Sequence, residues 1–168
     1  MRFVGIDPST KTGLVILDRD GNVIDALEIT SERGAQVAVI SNIVLGTVQQ
    51  LELGDIVAIE GFAYGAKGSA VGMLFGIGWG IRMEMHNRDI EFIDVAPFAL
   101  KKFAGGKKDT KKDALAVEIY KRWGFEHPSD NVRDAYVLAQ IARAMYTSVD
   151  GLIAPQREVI EAIRKKGA

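Results

Sequence analysis

Residues 5–17 read GIDPSTKTGLVIL: an apolar run that ends on Asp7, a Pro-Ser-Thr-Lys-Thr-Gly turn, then a second apolar run. Val- and Ile-rich stretches on either side of a turn of this composition describe two strands. Asp7 is the first charged residue after FVGI (residues 3–6), a run that belongs in the interior. A carboxylate at such a place is desolvated unless something positive faces it. Two chemistries would account for it. Asp7 holds a metal ion for cutting a phosphodiester, or the turn after it cradles the phosphates of a nucleotide.

The rest of the fold follows outward from this stretch. Residues 2–7 and 13–18 are the first two strands, and the pair Asp20-Gly21 before NVIDALEI (22–29) is a hairpin signal. Residues 1–29 therefore read as three antiparallel strands. Apolar residues recur at helical spacing from Gln36 to Leu53, with Gly54 as the stop. DIVAIEG (55–61) is an apolar strand ending in an acid, Glu60. GSAVGMLFGIGWGIRMEMH (68–86) suits a buried helix, and IEFIDV (90–95) is a fifth strand closed by Pro97. A lysine-rich loop follows, then helices over about 110–123 and 129–146, and a tail from Pro155 that reads as a short amphipathic helix. Meandering strands followed by strand–helix alternation predict an α/β fold with a mixed five-stranded sheet, three antiparallel strands and then parallel ones, and helices on both faces. Residues 1–150 form the expected domain and 151–168 a C-terminal tail.

The 168 residues suffice for one domain with a real core. The net charge of −1 announces no polyanion partner by itself, although the positive charge is unevenly placed. The absence of cysteine excludes disulfides and thiolate metal sites. MRFVGIDPST interrupts any secretory pattern with an acid and a proline, and the most apolar segment, SAVGMLFGIGWGI (69–81), is bracketed by Lys67 and Arg82 and too short to span a bilayer. A cytoplasmic protein with no membrane partner is expected.

Most of the 22 acids are surface charge, but Asp7 and Glu60 each end an apolar strand. If those strands are neighbours, both carboxylates meet at one sheet edge, where open α/β sheets place ligands. In HPSDNVRDAYVLAQIARAM (127–145), Asp130 and Asp134 lie one helical turn apart and can project from one face. The alternative is that Ser129 or Asp130 caps this helix and Asp134 complements its dipole. Carboxylates without thiols make a hard-oxygen site suited to Mg²⁺ or Mn²⁺. Two such ions about 3.5–4 Å apart can activate a water and stabilise a leaving oxygen. His127 is close enough in sequence to move a proton, or else simply packs its loop.

KKFAGGKKDTKKD (101–113) gathers six lysines around two glycines. Lys107, Lys108, Lys111 and Lys112, beside the start of a helix, suit a phosphodiester; a solvated charged face is the alternative. Gly72, Gly76 and Gly80 recur every fourth residue, which suits close approach of another backbone, in a partner subunit or within the chain.

Taken together, GIDPSTKTG, VAIEG, GGKKDTKKDAL and DNVRDAYVLA resemble the RuvC group of Holliday-junction resolvases in the ribonuclease H-like superfamily, particularly its phage-type members. The resemblance implies a ribonuclease H-like nuclease with Asp7, Glu60, Asp130 and Asp134 as catalytic and metal-binding acids, holding two Mg²⁺ (or Mn²⁺) ions. The family often spaces its last two acids three apart; here Asn131 holds that place and Asp130 precedes it. The family's essential lysine falls on Lys107 or Lys111. Its junction-unstacking aromatic falls on Ala63, so that the role passes to Phe62 or Tyr64. The resemblance further implies a homodimer, paired through the glycine-bearing helix, that nicks opposed strands of branched DNA to leave 5′-phosphate and 3′-hydroxyl ends. Two rival readings are an actin-like ATP-binding phosphotransferase fragment and an inactive nucleic-acid-binding relative.

Overall fold

The computed structural model describes residues 1–62, 68, 70–105, 110–148 and 151–166. In chain order these form β1 (Phe3–Asp7), β2 (Thr12–Leu17), β3 (Val23–Ile29), α1 (Gln36–Val48), β4 (Ile56–Glu60), α2 (Val71–Asn87), β5 (Phe92–Val95), α3 (Pro97–Ala104), α4 (Lys112–Trp123), α5 (Asp130–Tyr146) and α6 (Ala154–Lys166). The sheet order is β3-β2-β1-β4-β5, with β1, β2 and β3 antiparallel and β4 and β5 parallel to β1 and to each other. This is the mixed α/β sheet that the opening stretch predicts.

Strand alternation sends side chains to two separate cores. Val4, Ile6, Leu14, Val57 and Ile59 pack toward α1 and α2. Phe3, Val15 and Ala58 pack toward α5, together with residues of α3, α4 and α6. Helix α5 is buried along most of its length, from Val132 to Ala144, because it lies directly on the middle of the sheet. Its closeness has a backbone cause. A Cβ placed on Gly5 would stand 1.9 Å from the Ala135 carbonyl oxygen, and one on Gly13 would stand 2.1 Å from that of Asn131. Only glycine allows helix and strand backbones to touch in this way.

The β2–β3 turn is tied by Asp18, whose carboxylate accepts hydrogen bonds from the Asn22 side chain and from the Asn22 and Asp20 backbone N–H groups. The Asn22 side-chain contact leads the set that holds the Asp18 carboxyl below its ordinary pKa.

Three expectations are corrected. The segment after Pro97 is not wholly a loop: Pro97 opens α3, and Lys101 and Lys102 belong to it. Proline at the first helical position costs no hydrogen bond and presets φ, while Leu100, Phe103 and Ala104 bury one face. Helix α1 stops at Val48 rather than Leu53, because the chain tightens through the Gln50-to-Thr47 and Leu51-to-Val48 backbone bonds; Leu51 still reaches the core. Gly76 and Gly80 face α1 of the same chain, against Ile40 and Val44, and Gly72 faces open space. Gly76 and Gly80 thus serve an intrachain helix contact. The tail helix α6 buries Val159 and Ile160 in the α5-side core, and Gln156 donates to the Phe103 carbonyl. Among the described residues, no helix is long and apolar enough to cross a membrane.

Candidate active site

The parallel register of β1 and β4 runs to Ile6 opposite Ile59, so Asp7 and Glu60 are the next residues on adjacent strands. Neighbouring strands lie about 4.7–4.9 Å apart. Alternation puts Asp7 on the side of Phe3 and Gly5, and Glu60 on the side of Ala58, which is the α5 side for both. Helix α5 runs antiparallel to β1. Its Asn131 meets Gly13, opposite Asp7, while its Ala135 and Ala139 meet Gly5 and its Arg143 reaches the Arg19 carbonyl at the far end. The N-terminal end of α5, with Asp130 in its first turn and Asp134 one turn further on, therefore arrives at the same sheet edge as the two strand-end acids.

The edge is well built. Asp7 is buried, at 6 % exposure, whereas Glu60, Asp130 and Asp134 are half-buried. In the Pro8–Lys11 turn the Thr12 hydroxyl donates to the Ser9 carbonyl and accepts from the Ser9 N–H. Asn131 clamps this turn to α5: its Nδ2 donates to the Lys11 carbonyl at 2.7 Å and to the Ser9 hydroxyl at 3.2 Å. The α5 N-terminus adds the partial positive charge of its unpaired N–H groups to an otherwise acidic place. Ser129 is the N-cap residue, but its side chain makes no capping bond; its N–H donates to His127 Nδ1 at 3.1 Å. His127 therefore fastens the loop before α5, the packing role. The donor set at the edge is all oxygen, which fits a hard divalent cation. Among the described residues no three Asp, Glu or His side chains are grouped closely enough to form a ready ion site. What converges is the backbone that carries them.

Phe62, two residues beyond Glu60, folds back onto α2. Its ring stacks on Phe75 at 4.8 Å between centroids and lies 5.1 Å from Trp79. Arg82 covers the other side, with Cζ 4.5 Å from the ring centre. Tyr64, Lys107 and Lys108 lie outside the described residues. Lys111 is exposed immediately before α4, and Lys112 is its first residue, so both stand at that helix's N-terminus.

Sequence reasoning missed two residues. Arg82 looks like a flank of the apolar segment, yet it is 4 % exposed and bonded to Asp94 and to the Glu60 carbonyl. Asn131 reads in the sequence only as the residue standing where the family has an acid, whereas its donor contacts tie two site elements together. The signal for Arg82 was an arginine at helical spacing within a run that also buries Ile77, Gly78 and Ile81.

The sheet order and the helix crossing its centre give an α/β fold of the kind seen in solved RuvC structures. Two solved structures carry that likeness. A Thermus thermophilus RuvC in complex with a Holliday junction substrate superposes with a TM-score of 0.64 at 17 % identity, covering 83 % of this chain and 90 % of the other. A second Thermus thermophilus RuvC structure also gives 0.64, at 14 % identity, covering 99 % and 96 %. No protein-family model and no curated protein matches the sequence.

Proposed function

We propose that the protein is a divalent-metal-dependent endonuclease that resolves four-way DNA junctions, acting as a homodimer that nicks opposed strands symmetrically. One observation carries this reading. Acids that are far apart in sequence, Asp7 and Glu60 at adjacent strand ends and Asp130 and Asp134 one turn apart at the N-terminal end of α5, are delivered to one edge of the sheet. The RuvC likeness, in one case to a protein solved on a Holliday junction, supports branched DNA as the substrate.

In this reading Asp7, Glu60, Asp134 and Asp130 hold two Mg²⁺ or Mn²⁺ ions. When bound, such ions supply a nucleophilic water at neutral pH and neutralise charge on the phosphodiester. The protein's own part is to fix the carboxylates on rigid elements and to bring the phosphate to them. Lys107, Lys108, Lys111 and Lys112 hold the backbone of the DNA before and at the α4 N-terminus, where N–H groups and cationic side chains both favour phosphate. Of the two candidates just past Glu60, Phe62 and Tyr64, we assign base stacking at the branch point to Tyr64, because the Phe62 ring is engaged by Phe75 and Arg82. Cleavage leaves 5′-phosphate and 3′-hydroxyl ends, and the protein works in the cytoplasm.

The test is to incubate the protein with Mg²⁺ and labelled four-way, forked and duplex DNA, with ATP hydrolysis measured in parallel. Paired nicks in the junction are expected. ATP turnover without cleavage, or tight junction binding that never yields nicks, would overturn the reading.

A further inference from the structure

We propose that Arg82 is a positioning residue for the acid edge, holding the end of β4, and Glu60 with it, in place from the opposite side of the sheet. The inference rests on the acid-edge reading above and extends it to a residue that touches neither ion nor DNA.

The guanidinium of Arg82 is committed on every side. Its Nη1 donates to the Gly78 carbonyl at 2.9 Å, within α2. Its Nη2 donates to the Glu60 carbonyl at 2.9 Å, and its Nε to Asp94 Oδ1 at 3.1 Å. One planar cation thus joins α2, the last residue of β4 and the neighbouring strand β5. Phe62 lies on its face at 4.5 Å, so Arg82 also sets where the chain goes after Glu60.

Burying a cation at 4 % exposure is costly, and a hydrophobic residue of similar size would fill the same space at less cost. What a hydrophobic residue cannot do is donate to a strand-end carbonyl and to a carboxylate at once. The rigid fork of arginine does so, whereas lysine keeps the charge and loses the geometry. Gly78 makes room for this arrangement: a Cβ there would stand 2.6 Å from the Phe62 ring. Glu60 is the last residue of β4: on one side it is opposite Val95 of β5, with the Gly61 N–H bonded to the Val95 carbonyl, while on the β1 side the register ends one residue earlier, at Ile59. Arg82 and Asp94 add the remaining brace.

The experiment uses the full chain with Arg82→Lys, Arg82→Met and Asp94→Asn. Val48→Ala, in the α1–α2 core and away from the acid edge, serves as a control for lost stability. Four quantities are measured: Mn²⁺ affinity by titration with electron paramagnetic resonance, junction cleavage in Mg²⁺, junction binding with divalent ions chelated, and the thermal midpoint. Arg82→Lys is expected to lower Mn²⁺ affinity and cleavage together by about 10- to 100-fold, the range for lost ligand support. Junction binding should stay at the wild-type level, and Asp94→Asn should act in the same direction but less. If Arg82→Lys, assayed below its thermal midpoint, keeps wild-type Mn²⁺ affinity and cleavage, or if Val48→Ala at a matched midpoint loses as much, Arg82 has only a packing role and the inference fails alone. If the wild-type protein takes up no Mn²⁺, the inference falls together with the acid-edge reading.

Discussion

The two faces of the sheet are built by different means. On the α5 face, backbone meets backbone: Gly5 and Gly13 admit the carbonyls of Ala135 and Asn131 to distances that no side chain would allow. On the α1–α2 face, backbone meets side chain: Gly76 and Gly80 of α2 face the ends of the Ile40 and Val44 side chains of α1. The first arrangement leaves almost no slack, and the four acids lie at its end. The second can adjust by rotamer changes. The contrast teaches that main-chain contact sets the α5 side of the candidate site, while the Arg82 bridge reaches the end of β4 from the opposite face.

Six substitutions, taken in four groups, would break or sharpen this contrast. The largest effect is expected from Asp7→Asn, Glu60→Gln and Asp134→Asn, each of which should reduce junction cleavage by more than the about 10- to 100-fold that loss of a supporting residue costs. Junction binding should persist, because these changes remove ion ligands and leave phosphate contacts intact; normal cutting by Asp7→Asn would defeat the assignment.

Next comes Gly5→Ala. Overpacking usually costs about 1–3 kcal/mol, and a methyl group aimed at a main-chain oxygen belongs at or beyond the top of that range. Chemical denaturation would read the loss, or expression would yield no folded protein. A variant as stable as the parent would mean that α5 is free to move off the strand.

A smaller change is expected from Lys111→Ala, which should weaken junction binding and lower the slope of log affinity against log salt by about 1. An unchanged salt profile would remove this residue from the DNA path. Gly76→Ala should have the smallest effect. The added Cβ meets only the flexible end of Ile40, at 2.8 Å, and alanine favours the helix by about 0.8–1.0 kcal/mol over glycine. The net shift should fall within about 1 kcal/mol of zero. If Gly76→Ala proved as damaging as Gly5→Ala, the two faces would not differ in the way described.

The strands and the acids were legible because their signals are local. A Val- and Ile-rich run that ends in a lone acid marks both a strand and its tip, and Asp20-Gly21 marks the turn between the second and third strands. The pairing of β1 with β4 is only a condition in the sequence, and the sheet supplies it. Other features depend on contacts that sequence does not encode. The stripe of Gly72, Gly76 and Gly80 says that something comes close without saying whose backbone or side chain it is. Helix α3 was hidden because a proline followed by lysines reads as a loop, although Pro97 is at the one helical position that suits it. Arg82 was hidden because a charged residue beside an apolar run reads as its boundary, and only the fold reveals Asp94 and the Glu60 carbonyl around it.

The account depends above all on Asp7, Glu60 and Asp134 acting as one ion-binding unit. Titration of Mn²⁺ into the wild-type protein and into Asp7→Asn, Glu60→Gln and Asp134→Asn tests this most directly. The expected result is ion uptake by the wild type that each single replacement weakens. Wild-type Mn²⁺ affinity in all three variants would contradict it.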